Sequence, residues 1–169
     1  MIRNVCCLFL LLVVFASCQK SSAQKSTYPD HVGDIAFDEK MDDPNFKICV
    51  SGGIPQYYEF GKSLQYQGEK PTLDKHFEIL KQNETTAESG YITIRFIVNC
   101  EGKTGRYRIE EMNNEYQSMS FDKKLVEKIL VLTKELSGWV VGGNPEHPVD
   151  YYQYLTFKIE GGKLIEIMP

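Results

Sequence analysis

The sequence predicts an α+β domain in which an antiparallel β-β-α-β sheet carries one helix across one face, preceded by a helical extension. Three runs of residues carry that expectation. Gly90 to Val98 alternates apolar and polar residues, with Ile92, Ile94, Phe96 and Val98 on one face, as in a half-buried strand. Ser120 to Leu136 places Phe121, Leu125, Ile129, Leu132 and Leu136 at helical spacing. Val149 to Glu160 is rich in Tyr and Phe and stops at Gly161-Gly162, a pair suited to a tight turn into Lys163 to Ile167. The chain has 169 residues, of which 42% are hydrophobic and 25% charged, as suits one compact domain with tails. With 19 basic and 23 acidic residues and a formal charge of -4, it lacks the basic field that attracts nucleic acid.

Before that domain, Arg3 and the apolar run Val5 to Phe15 read as a signal peptide over residues 1–17. The run is too short for a helix that crosses about 30 Å of hydrocarbon. Phe15-Ala16-Ser17-Cys18 resembles the lipobox of bacterial lipoproteins, which implies cleavage before Cys18 and acylation of its sulfur and amine. The alternative is an ordinary signal peptide cut near Ser17 or Ala23. Residues 18–45 are polar and without apolar period, so they are expected to form a flexible linker that averages about 30 Å end to end. Residues 46–169 are then the folded domain, with a core over about 88–160.

Within the domain, Phe46, Ile48 and Val50 alternate with polar residues before Gly52-Gly53 and suggest a short extended segment. Pro55 to Gln65 reads as an amphipathic helix opened by proline, with Tyr57, Phe60 and Leu64 on one side. A second helical stretch follows Pro71, with Leu73, Phe77 and Leu80 aligned, and Asn83 to Gly90 is a polar loop. Asn99 to Gly105 holds turn residues, so Arg106 to Glu111 should return as the second strand of a hairpin. Asp122 falls in the first turn of the long helix, where the helix dipole favours an anion. Ser137-Gly138 ends that helix, and Trp139 anchors a loop through Gly142-Gly143-Asn144-Pro145. Export leaves Cys49 and Cys100 as an even pair, which invites a disulfide, with two free thiols as the alternative.

Residues 88 to 160 resemble the C-terminal domain of TonB energy transducers. The resemblance rests on Gly90 to Asn99, Gly102, Arg106 to Glu111, Phe121-Asp122 to Ile129, Trp139 to Gly142 and Pro148-Val149, in that order. It implies that the last strand offers its edge to an extended receptor peptide, which adds as a further strand. The implied binding edge is Tyr151, Gln153, Tyr154, Leu155, Phe157 and Ile159. The chain has neither the uncleaved membrane helix nor the Pro-rich spacer of TonB, and Gln67 and Val141 stand where the family commonly has Pro. The resemblance therefore implies the binding mode without coupling to a proton gradient. One residue pattern opposes it: a hairpin at Gly161-Gly162 would lay Leu164 to Ile167 on the same edge. The implied partner is an outer-membrane receptor or another envelope protein; the other reading is a structural lipoprotein with a self-capped sheet.

Enzymatic chemistry finds little support. His31, His76 and His147 lack metal-site spacing, no Gly-x-Ser-x-Gly occurs, and Glu110 and Glu111 would point to opposite faces of a strand. No catalytic residue, metal, cofactor or small-molecule substrate is expected.

Overall fold

The computed structural model describes residues 34–50, 52–61, 64–81 and 87–169. The expected signal peptide and the lipidated Cys18 lie outside these residues. The architecture is mixed α and β, built on a four-stranded antiparallel sheet of order β2-β1-β5-β6. Its strands are β1 (Gly90–Val98), β2 (Thr104–Met112), β5 (Tyr151–Glu160) and β6 (Lys163–Met168), with β3 (Gly142–Asn144) and β4 (His147–Val149) forming a separate small hairpin. Helices α1 (Glu69–His76) and α2 (Lys123–Glu135) supply the apolar residues that cover one face of the sheet.

Each principal element has a local cause. Alternation in β1 sends Ile92, Ile94, Phe96 and Val98 into the main core, where they meet Leu155, Phe157 and Ile159 of β5 and Ile129 of α2. Asp122 is the N-cap of α2, not a residue of its first turn: its carboxylate accepts from the N–H groups of Lys124 and Leu125. Helix α1 begins before Pro71, whose missing N–H is harmless in a first turn, and continues into a 3-10 turn at Glu78–Leu80. Leu73, Phe77 and Leu80 are fully buried there.

Two expectations change. The helix from Pro55 to Gln65 shrinks to a 3-10 turn at Tyr57–Phe60, closed by Gly61 in the left-handed region. The larger correction concerns the linker. Residues 34–45 are not free tether: Ile35 is buried against Ile97 and Tyr152 in a second core on the opposite sheet face, joined by Phe46, Ile48 and Ile54. The Tyr152 hydroxyl accepts from the Ile35 N–H across 117 residues. Phe46 can lie on β2 only because Gly105 has no side chain, since a Cβ there would fall 2.5 Å from its ring. The arm, residues 34–50, turns at 39–42 and 44–45, where Asp42 N–H donates to the Asp38 carbonyl and Phe46 N–H to that of Asp43, and it joins no ladder.

Candidate protein-binding edges

Strand β5 was expected to be an edge, and it is internal. Its residues Tyr151 to Ile159 pair with Val98 to Gly90 on one side, and Thr156 to Glu160 pair with Met168 to Lys163 on the other. The Gly161-Gly162 turn folds β6 back because doing so buries Leu164 and Ile167. Five of the six expected edge residues, Tyr151, Gln153, Leu155, Phe157 and Ile159, are 0% exposed, and only Tyr154 is partly open. Burial drives the Tyr151 phenol pKa well above its ordinary value, and the hydroxyl donates to the carbonyl of Val140.

The capping of β5 has one break. The Tyr152 N–H donates outward to the Pro55 carbonyl at 2.9 Å, with Gln56 alongside as a parallel bridge. Alternation sends the backbone groups of Tyr154 and Thr156 to the same side. Strand β6 reaches back only as far as Thr156, so Tyr154 stands between two capping segments. Its carbonyl accepts a 2.8 Å hydrogen bond from Nε2 of Gln153. That side-chain amide supplies the donor which a neighbouring strand would supply, and it does so at a cost: Gln153 is fully buried and its Oε1 has no partner. The Tyr57 ring closes one wall, edge-on to Tyr154 at 5.2 Å. Burial, then the hydrogen bond to Tyr154, push the Tyr57 phenol up to about 12.

The two outer strands are blunted differently. Strand β6 is short and its register slips opposite Lys158 and Ile159, a bulge that leaves Ile165 48% exposed. On β2, the Glu111 carbonyl accepts from Met119 N–H, Ser118 bridges Met112, and the Tyr107 carbonyl accepts from the Arg108 guanidinium. Arg106, with φ of 55°, marks a bulge that slips the β1–β2 register between Arg95 and Ile97. Beside β2 runs a groove of about 770 Å³ between residues 41–46 of the arm and Leu130 and Lys134 of α2. Its arm wall is held by a bidentate ion pair, Arg108 Nη1 to Asp42 Oδ1 at 2.8 Å and Nη2 to Oδ2 at 2.7 Å. The hydrogen bond from Arg108 keeps the Asp42 carboxyl below its ordinary value of 3.8, although burial opposes it.

A disulfide joins Cys49 to Cys100, tying the arm to the β1–β2 turn. Beneath it the fully buried Asp150 accepts from the N–H groups of Cys49, Val50 and Cys100 at 2.7, 2.9 and 2.8 Å. The Cys49 and Cys100 sulfurs and the Asp150 carboxylate lie within 4.8 Å of one another, yet the sulfurs are bonded together and the carboxylate is filled by N–H donors, so the group is a structural tie. Of the histidines, His76 is half-buried with Nε2 2.9 Å from the Leu132 carbonyl, His147 is exposed, and His31 lies outside the described residues. The Glu111 carboxylate accepts from Phe121 N–H, whereas Glu110 faces solvent, so these carboxylates do not act as a pair.

Reading the sequence missed Asp42, Arg108, Asp150 and the role of Gln153. A lone Asp directly before a long apolar strand, and an acidic cluster at 38–43 facing Arg106 and Arg108, are the signals that point to the first three. Among the described residues, no helix is long and apolar enough to cross a membrane. Comparison with protein-family models, curated proteins and solved structures returns no match.

Proposed function

We propose that the chain is a lipid-anchored binding module of the cell envelope, attached through Cys18 and facing the periplasm at the outer membrane. It engages a transporter or another envelope protein by β-strand addition, without proton-gradient coupling of its own. The observation that carries this reading is the break at Tyr154, where Gln153 stands in for a missing strand and leaves its own Oε1 unpaired. An incoming backbone N–H takes over as donor to the Tyr154 carbonyl and frees the Gln153 amide to turn towards new partners on the added strand. The incoming strand then extends along β5 by peeling β6 from its C-terminal end, where Met168 and Ile167 pair with Thr156 and Phe157. To keep the core filled, the strand needs aliphatic side chains for the seats of Ile167 and Leu164. The resemblance to TonB domains supports the same mode.

A photoreactive amino acid in place of Tyr154 tests this in intact cells. The expected product is a crosslink to an outer-membrane receptor or another envelope protein, identified by mass spectrometry. Pairing Thr156→Cys with Met168→Cys locks β6 onto β5, and the crosslink should then disappear. A crosslink that survives the lock, or none at all, favours the alternative of a structural or assembly lipoprotein. The seating of Leu164 and Ile167 in the core is what supports that alternative.

A further inference from the structure

We infer that the groove along β2 is a second docking site, taking an extended segment of a partner protein that carries an apolar residue and, close to it, a carboxylate. The floor of the groove offers unpaired backbone. The carbonyls of Tyr107 and Glu111 point away from β1, since one accepts from Arg108 Nη1 and the other from Met119 N–H. Ile109 lies between them at the same phase of the strand, so its N–H and carbonyl point outward as well. Both neighbours have substitute donors, and the outward groups of Ile109 have no partner among the described residues. Strand addition centred on Ile109 supplies them.

The walls set the chemistry of the occupant. Ile109 and Leu130 line the helix side, and Met41, 63% exposed, lines the arm side, so a side chain directed between them is apolar. Charge supplies the second requirement. Asp42 is taken up by Arg108, whereas Lys134 Nζ rests 5.3 Å over the Tyr107 ring with no carboxylate partner among the described residues. Arg106, by contrast, is held by the arm: it covers the Phe37 ring, donates to the Ile35 carbonyl and acts on the Asp42 carboxylate. A carboxylate on the added strand therefore meets Lys134 at the helix rim of the slot, away from Asp42 and Asp43 on its arm wall. This site goes beyond the proposed β5 site, from which it is separated by the width of β1. With both occupied, the domain joins two extended segments across one sheet, as an adaptor does.

The test is selection of a phage-displayed library of random peptides about twelve residues long, enough to cover a strand, on the immobilised full chain. Selected peptides should carry an apolar residue with an acidic one close by. Their affinity should fall roughly tenfold or more in Ile109→Pro and, separately, in Lys134→Glu, and stay unchanged in Ile165→Pro and in the Thr156→Cys/Met168→Cys lock. Ile109→Pro removes a donor that no ladder uses, and edge strands tolerate proline. Lys134→Glu lies on the surface of α2 and provides the same readout should the proline variant fold poorly. Titration of the wild-type chain with a selected peptide should shift the Ile109 amide resonance. Peptides that bind both groove variants as tightly as wild type, or that lose binding in Ile165→Pro instead, overturn the inference. So does a library that yields no binder. Because the lock acts on β5 alone, loss of the Tyr154 crosslink leaves this outcome untouched.

Discussion

The arm (residues 34–50) and strand β6 are both additions to the sheet core, but different forces hold them. The arm has few deep apolar anchors. It relies on the Asp150 carboxylate, the Arg108–Asp42 pair, the Cys49–Cys100 disulfide and the Asn99 amide, which donates to the Lys47 carbonyl. Strand β6 has the opposite balance: a short ladder and two buried aliphatic side chains, with one exposed ion pair between Lys70 and Glu166. A polar tie is strong only while every partner is present and correctly charged, whereas an apolar seat responds to volume and hardly to pH. The two flanks of the domain should therefore fail under different conditions.

Asp150→Ala should have the largest effect. It removes the acceptor shared by the partly buried N–H groups of Cys49, Val50 and Cys100 and leaves a cavity in place of the buried carboxylate, and should cost about 3 kcal/mol or more in urea unfolding. A loss under about 1 kcal/mol would show that Asp150 is not a main fastening of the arm, and the contrast with β6 would fail. Next in size, Leu164→Ala should cost about 2–4 kcal/mol through the cavity it leaves. Its loss should be the same at acid and neutral pH, and hydrogen exchange should rise in β6 while the arm stays protected.

Asp42→Asn should cost on the order of 1 kcal/mol at neutral pH. The wild-type pH profile gives the sign. Because Arg108 lowers the folded pKa of Asp42, the stabilisation is fully present above the ordinary carboxyl value of 3.8 and is lost as pH falls below it through the folded value. Arm amides should then exchange faster as pH drops through that window than the intrinsic rate explains, and β6 amides should not. Asp42→Asn should abolish the difference. The smallest effect is expected of Lys70→Ala. Lys70 and Glu166 are 43% and 48% exposed at the side chain, so removing their pair should leave the melting temperature unchanged within error. A clear drop would mean that β6 too depends on charge.

How much could be read in advance follows from how far apart the interacting residues are in the chain. Strands β1, β2 and β5 and helix α2 announce themselves because alternation and helical spacing are properties of adjacent residues, and the Gly161-Gly162 pair marks the turn into β6. The arm has no period, and Ile35 and Asp42 are ordered by partners 117 and 66 residues away. Its polar composition therefore reads as tether. The same limit hides the helical extension, where Tyr57, Phe60 and Leu64 keep helical spacing although Gly61 breaks the turn.

The candidate site divides along the same line. From the sequence alone come the strands, the helix that covers them, the aromatic character of β5 and the hairpin that threatens its edge, since each depends on neighbours in the chain. Only the tertiary structure decided that β5 is flanked on both sides, that Gln153 fills a break in its capping, and that the accessible strand backbone lies at Ile109. Those outcomes depend on which strand pairs with which, and at what register. Pairing is settled by the burial of Leu164, Ile167 and Ile35 against residues that no local pattern brings together.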